Sequence, residues 1–203
     1  MTPLEQIYAE SPDPVAYARG YLRRLVAVLE AIDPEEIARA AEAMWRAREE
    51  GRRIFFLGNG GSAATASHFA NDVGLGTRSD GAPFKALSLT DNNAVLTCVA
   101  NDLGYEHVFT EQLRVHLEPG DVVVAISASG NSPNVVRAVE LARERGNVTI
   151  ALTGFDGGEL RRRAHLAIHV PTERGEYGPV EDAHMVLDHL ISTFLAMRAR
   201  KQP

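Results

Sequence analysis

The chain has 203 residues, of which 45% are hydrophobic and 24% charged, and its formal net charge is −6. This composition is ordinary for a globular protein, and the negative charge argues against a broad nucleic-acid-binding surface. The single cysteine, Cys98, excludes an intrachain disulfide, fits a reducing compartment, and has apolar neighbours that predict a buried side chain. We see no signal peptide and no apolar run approaching about 20 residues, so we expect a cytoplasmic protein.

The first fifty residues predict helices, and the rest predicts alternating strands and helices. Leu22, Leu25 and Leu29 recur at helical spacing, and Asp33 before Pro34 is typical of a helix start. Strands are expected near 53–58, 84–90, 121–127, 148–154 and 166–170, and helices near 62–74, 91–101, 107–117, 132–145 and 179–200.

Short, continuously apolar strands are typical of sheets that are covered on both faces. We therefore predict an α/β fold, a doubly wound five-stranded parallel sheet with helices on both faces and two N-terminal helices. The whole chain, 1–203, is expected to form one domain, in which a helical segment (1–50) precedes the sheet (51–203).

A glycine-rich turn follows the first predicted strand. The stretch "GNGGSA" at 58–63 is typical of a strand-to-helix turn that holds phosphate, and it also fits the dinucleotide pattern G-x-G-x-x-A. Asp91, at the end of the next predicted strand, lies 33 residues after Gly58, later than the spacing of about 20 residues usual for a ribose-binding acid. The turn alone does not decide between the two types of ligand.

A second turn, "SASGNSP" at 127–133, follows another buried strand and carries three hydroxyls. Unpaired N–H groups and the helix dipole at such a position favour an anion, and serine hydroxyls add donors without charge. Helix capping would explain one of the three serines. We interpret this loop as a site for a phosphate monoester.

Two helices carry clusters of ionisable groups. His68 and Asp72 are one turn apart beyond the first loop, so they share a helix face. The last helix carries "VEDAHMVLDH", with five ionisable groups among which helical geometry alone does not choose: Glu181, Asp182, His184, Asp188 and His189. Nitrogen and carboxylate ligands of this kind suit zinc or a similar divalent ion.

Five segments, taken in this order, resemble one family. They are "GNGGSAA" with "SHFA", "VANDLGYEHVF", "GDVVVAISASGNSPNVV", "ALTGFDGGEL" and "VEDAHMVLDHLI". The chain resembles the phosphoheptose isomerases, sedoheptulose 7-phosphate isomerases with the sugar isomerase (SIS) fold. The resemblance runs from about residue 35 to the C-terminus.

The resemblance implies a site and an assembly. It implies one divalent ion per subunit, expected to be zinc, with His68, Asp72, Glu181 and His189 as ligands, and it implies a homotetramer. Catalysis is expected from Asp72 and His189, either of which could be the base. The substrate-binding residues that it implies are Asn59, Gly60, Gly61, Ser62, Asp72, Asn101, Asp102, Ser127, Ala128, Ser129, Ser132 and Glu181.

Three positions depart from the pattern of the family. Asp72 stands where the family has a glutamate that is both ligand and base, Glu181 where it has a ligating glutamine, and Thr65 where an aspartate is frequent. The shorter side chain at 72 draws the carboxylate back by about 1.5 Å, one C–C bond. Glu181 would add negative charge to the ligands of the ion.

The expected function is aldose–ketose isomerisation of a sugar phosphate, from D-sedoheptulose 7-phosphate to D-glycero-D-manno-heptose 7-phosphate through a cis-enediol. One alternative is a non-catalytic SIS-domain adaptor or regulator that binds a phosphosugar or a protein partner. Another is a dinucleotide-binding oxidoreductase, which only the glycine spacing favours.

Overall fold

The computed structural model describes residues 1–10 and 12–202. Within them, five parallel strands form one sheet in the order β2-β1-β3-β4-β5. The strands are β1 (Arg53–Gly58), β2 (Lys85–Ser88), β3 (Val122–Ser127), β4 (Val148–Thr153) and β5 (Leu166–His169). The predicted α/β parallel sheet is confirmed.

Helices cover both faces of the sheet. They are α1 (Pro3–Glu10), α2 (Pro14–Glu30), α3 (Pro34–Glu49), α4 (Gly61–Asn71), α5 (Asn93–Asp102), α6 (Thr110–His116), α7 (Pro133–Glu144), α8 (Gly158–Arg163) and α9 (Tyr177–Lys201). Two short turns of other types lie at Asp72–Gly76 (π) and Tyr105–His107 (3₁₀). No helix in these described stretches is long and apolar enough to cross a membrane.

Alternating strand residues build two hydrophobic cores. Ile54 and Phe56 of β1 are fully buried in a core shared with α3, α4 and α9. Phe55 and Leu57 point to the other face and are buried against α6 and α7. Because successive side chains of a strand point to opposite faces, a strand covered on both sides is apolar throughout. This explains the continuous apolar runs of the sequence.

The strand order places the loops after β1 and β3 side by side. From β1 the chain goes to β2 on one side, and then returns to β3 on the other side of β1. Open parallel sheets bind ligands beyond the carboxyl ends of the strands at such a reversal. The glycine turn and the serine loop therefore belong to the same crevice.

The N-terminal helix α2 is fastened to α9 by two polar contacts. The Tyr21 hydroxyl donates to Asp182 Oδ2 at 2.5 Å, and the Arg24 guanidinium donates to both carboxylate oxygens of Glu176, at 2.9 and 2.6 Å. Hydrogen bonds from Arg24 and from the Glu173 N–H hold the pKa of Glu176 below its usual range, although burial acts in the opposite direction. The helical segment is thus fixed beside the start of α9.

Three features differ from the sequence-based expectations. Helices α1 and α8 were not predicted; α1 has no buried residue and α8 spans only six residues, so neither leaves a clear apolar pattern. The prediction of a buried Cys98 is wrong, because its side chain is exposed on α5 beside Asp102. Cys98 lies on the outer side of α5, which uses Leu96 and Val99 against the core.

Candidate active site

The glycine turn brings α4 and α9 into close contact. A Cβ atom at Gly61 would overlap the carboxylate of Glu181, so only glycine lets that carboxylate lie over the first turn of α4. Gly60 caps the helix with a φ of 55° and has no side chain to block the N-terminal N–H groups. Buried Ser62 follows on the first turn. The predicted phosphate turn therefore carries a carboxylate at its edge.

The serine loop between β3 and α7 leaves hydroxyls free of helix capping. Ser132 occupies the N-cap of α7, but its side chain makes no capping hydrogen bond. The Ser127 hydroxyl accepts from the Gly130 N–H at 3.1 Å, and the Ser129 hydroxyl accepts from the Asn131 N–H at 3.3 Å. The Ser127 and Ser132 hydroxyls lie 3.4 Å apart, so one of them donates to the other, while the proton of the Ser129 hydroxyl remains available to an acceptor beyond the loop.

Both loops line one cavity of about 250 Å³. Asn59 is held in its wall by a reciprocal amide pair with Asn134 and by a hydrogen bond from the Tyr105 hydroxyl. Most of the predicted substrate-binding residues are lining residues: Asn59, Gly60, Gly61, Ser62, Ser127, Ala128, Ser129, Ser132 and Glu181, joined by Tyr177. Glycines and serines make up more than half of the lining residues, and this composition suits an anionic oxygen cluster.

The charge state of Glu181 is sensitive to this setting. Burial, and then the neighbouring charge of Asp182, raise the pKa of Glu181 above its usual value. A carboxyl group that keeps its proton more readily is better tolerated beside a phosphate than an ordinary glutamate.

A second group of side chains lies two helical turns further along α4 and α9. His68 Nε2 is 3.1 Å from His189 Nε2 and 3.5 Å from Asp72 Oδ2. The N–H of Asp72 bonds to the His68 carbonyl, so the pair shares one face of the helix as expected. The π turn begins at Asp72 and follows directly after α4. Such turns are frequent near functional sites.

Asp188 completes this group. One ligand atom from each of His68, Asp72, Asp188 and His189 lies within 4.8 Å of all the others. Asp188 is fully buried, and neither of its carboxylate oxygens has a hydrogen-bond partner within the described chain. Burial, and then the charge of Asp72, raise the pKa of Asp188 to about 8. A cation at this position would offset both effects.

The group fits a divalent ion. Two ligand nitrogens at 2.0–2.1 Å from zinc in tetrahedral geometry stand about 3.3 Å apart, close to the separation of the two imidazoles. Two imidazoles with two carboxylates form a mixed nitrogen and oxygen set, which zinc accepts. Glu181, the fourth ligand expected from the resemblance, is not part of this group.

Three further positions lie outside both clusters. Asn101 and Asp102 are exposed at the end of α5, where the Asn101 amide donates to Asp102 at 2.8 Å, and they do not line the cavity. Their role in binding stays a prediction. Thr65 is buried and donates to the carbonyl of Gly61 at 3.3 Å. This hydrogen bond stabilises the glycine turn.

Comparisons with known proteins show the family to which the chain is similar. The model of the SIS domain family matches residues 17–154. The phosphoheptose isomerase of Rhodospirillum rubrum is 41% identical over 155 residues, which are 76% of this chain and 81% of that protein. The one from Aneurinibacillus thermoaerophilus is 34% identical over 180 residues, 86% of this chain and 90% of that protein.

Solved structures give the same result. The phosphoheptose isomerase of Neisseria gonorrhoeae superimposes with a TM-score of 0.80 at 35% identity, and the match covers 89% of this chain and 96% of the other. The chain belongs to the phosphoheptose isomerase family of SIS-domain proteins.

Proposed function

We propose that this protein is an isomerase that converts D-sedoheptulose 7-phosphate to D-glycero-D-manno-heptose 7-phosphate. The observation that carries the proposal is the pairing of an anion-binding cavity with a cluster of proton-transfer and metal-ligating groups on the same two helices. The relatives named above are phosphoheptose isomerases, which supports this reaction over a non-catalytic role.

The distance between the two clusters suits a long sugar phosphate. His68 comes seven residues after Gly61, and Asp188 comes seven residues after Glu181. Seven residues of helix span about 10 Å. From C2 to the phosphorus, an extended heptose 7-phosphate measures about 9 Å on ordinary bond lengths. The phosphate then lies at the serine loop while C1 and C2 lie beside Asp72 and His189.

The proposed chemistry is proton transfer between two carbons. Asp72 or His189 removes a proton from C1 of the ketose, the C2 oxygen gains a proton, and a cis-enediol results. Return of a proton to C2, with loss of the O1 proton, gives the aldose. A bound divalent ion, which we propose to be zinc, would supply charge stabilisation to the two adjacent oxygens. His68 and His189 would hold it together with Asp72.

We further propose a cytoplasmic homotetramer whose chain, 1–203, forms one SIS domain. Two features support assembly through the helical segment. Leu22 and Val26 of α2 are 61% and 54% exposed, although both are large and apolar. A groove of about 280 Å³ between α3 and α9 is lined by Ile37, Leu190 and Phe194. Apolar surface of this kind is common where subunits meet.

A screen of ketose phosphates tests the proposed reaction. Purified protein is incubated with ketose phosphates of five to seven carbons, and aldose formation is followed for each. We expect the seven-carbon substrate to react fastest, and we expect chelation of the ion to stop turnover. Equal rates for all substrate lengths would refute the proposed match between the length of the sugar phosphate and the separation of the two clusters. Failure to form an aldose from any of these substrates would refute the proposed reaction.

A further inference from the structure

Asp188 is a buried carboxylate to which the resemblance to the family assigns no role. Its relative exposure is 0%, and both Oδ1 and Oδ2 lack a hydrogen-bond partner in the described part of the chain. A buried carboxylate without partners is costly, and native structures compensate it with donors or with a cation. His68, Asp72 and His189 each place a ligand atom within 4.8 Å of an Asp188 oxygen, and none of them forms a hydrogen bond with it.

We infer that Asp188, rather than Glu181, supplies the second carboxylate ligand of the ion held by His68, Asp72 and His189. The inference deepens the proposed function, because it concerns the ion of the same site. The four ligand atoms lie within 4.8 Å of one another, with Asp188 buried and the other three side chains partly or largely exposed. Asp188 therefore forms the floor of the site.

Glu181 lies in the wrong place for the same ion. Its carboxylate covers Gly61 and lines the cavity of the serine loop. Seven residues of α9 separate it from Asp188, a rise of about 10 Å along the helix. With its carboxylate turned to Gly61, Glu181 supplies no ligand atom to the group formed by His68, Asp72, Asp188 and His189.

Charge balance favours the same assignment. Two carboxylates and two neutral imidazoles neutralise a divalent ion, so the group formed by His68, Asp72, Asp188 and His189 needs no third carboxylate. With Asp188 as ligand, Glu181 faces the substrate and contacts it between the sugar and the serine loop. One oxygen of Asp72 accepts from the Asn71 amide at 3.0 Å, and the other lies 3.5 Å from His68 Nε2.

The test measures zinc affinity in the absence of substrate, on metal-free protein, for the wild type, Asp188→Asn and the matched control Glu181→Gln. Loss of a positioning group outside the ligand shell already weakens metal binding 10–100-fold, so we expect Asp188→Asn to lose about 100-fold or more. Glu181→Gln is expected to stay within about threefold of the wild type. The opposite ranking, equal losses, or no loss in either variant would overturn the inference.

A second variant, measured by absorption spectroscopy, tests the ligand assignment if Asp188→Asn folds poorly. Asp188→Cys loaded with Co²⁺ should show a thiolate-to-cobalt charge-transfer band, because cysteine is a strong ligand for such ions. Glu181→Cys and the wild type, whose single cysteine Cys98 is not part of the ligand group, should not show it. A band in Glu181→Cys alone would overturn the inference.

These outcomes are independent of the reaction. A protein that binds zinc through Asp188 but forms no aldose refutes the proposed function and leaves the ligand assignment standing. A protein that isomerises its substrate, but whose zinc affinity is unchanged in Asp188→Asn, refutes the assignment alone.

Discussion

At the scale of single residues, Glu181 and Asp188 show how position changes the chemistry of one functional group. Both are carboxylates on α9, and burial raises the pKa of each. Glu181 faces a cavity built from N–H and hydroxyl donors, while Asp188 faces imidazoles and another carboxylate. The first setting suits substrate contact and the second suits a cation.

The serine loop leads to a prediction about substrate affinity. In Ser127→Ala/Ser129→Ala the phosphate loses two hydroxyl donors, and each hydrogen bond to a charged group contributes about 1.5–3 kcal/mol. We expect KM for the sugar phosphate to rise by about tenfold or more per serine, measured by steady-state kinetics. Binding of the corresponding sugar without phosphate should not change. An unaltered KM for the phosphorylated substrate would contradict the assignment of the loop.

At the scale of elements, the polar contacts that α2 makes with the start of α9 position α9. Glu176 is 1% exposed and immediately precedes α9, so its bidentate contact with Arg24 fixes both helices where the site begins. Loss of one partner from a buried pair leaves the other charge without compensation.

Arg24→Ala is expected to lower the free energy of unfolding by about 3 kcal/mol, since it leaves Glu176 buried and unpaired. The measurement is a urea titration at neutral pH. Arg23→Ala, which removes an exposed arginine from the same helix, serves as the control and should change stability by less than about 0.5 kcal/mol. Equal effects of the two substitutions would show that the ion pair is not stabilising.

The buried His184 of α9 predicts a dependence of stability on pH. Burial is the main cause that lowers its pKa from 6.5 to about 4. Between these values the unfolded chain binds a proton that the folded chain does not, so stability falls as the pH falls through this window. The loss amounts to about 3 kcal/mol by pH 4, and none is expected above pH 6.5.

Chemical denaturation of the wild type and of His184→Gln between pH 7 and pH 4 checks this. The variant keeps His165 and His169, whose pKa values burial also lowers, so the difference between the two curves isolates His184. We expect a shallower decline for the variant. Parallel curves would contradict the role assigned to the buried imidazole.

The sequence predicted the elements better than it predicted the site. Strands such as β3 are apolar throughout because both faces are covered, and this leaves a clear pattern. The group of metal ligands was harder to predict from the sequence, because helical periodicity does not say which neighbouring element a side chain contacts. The one signal for Asp188 was an aspartate between Leu187 and His189 in an otherwise apolar part of α9. The placement of Glu181 over Gly61 depends on tertiary contact alone.

At the scale of the whole molecule, the exposed apolar residues of α2 predict assembly. Light scattering at micromolar concentration should give a tetramer for the wild type. Leu22→Lys/Val26→Lys should lower the mass, because charge is introduced where subunits would bury apolar surface. The control Val115→Lys alters a residue that is 77% exposed on α6 and should leave the mass unchanged. A monomeric wild type would contradict the proposed assembly.

The most direct test of the account is an NMR measurement of the reaction in D₂O. Protein loaded with zinc is given sedoheptulose 7-phosphate, and the product is examined at C1 and C2. Proton transfer by Asp72 or His189 through an enediol predicts a heptose 7-phosphate that carries solvent deuterium at C2 in at least part of the product, because the base exchanges its proton with D₂O, and that is formed only while the ion is present. A product without any deuterium at C2, as a direct hydride shift would give, full activity after exhaustive chelation, or no aldose at all would contradict it.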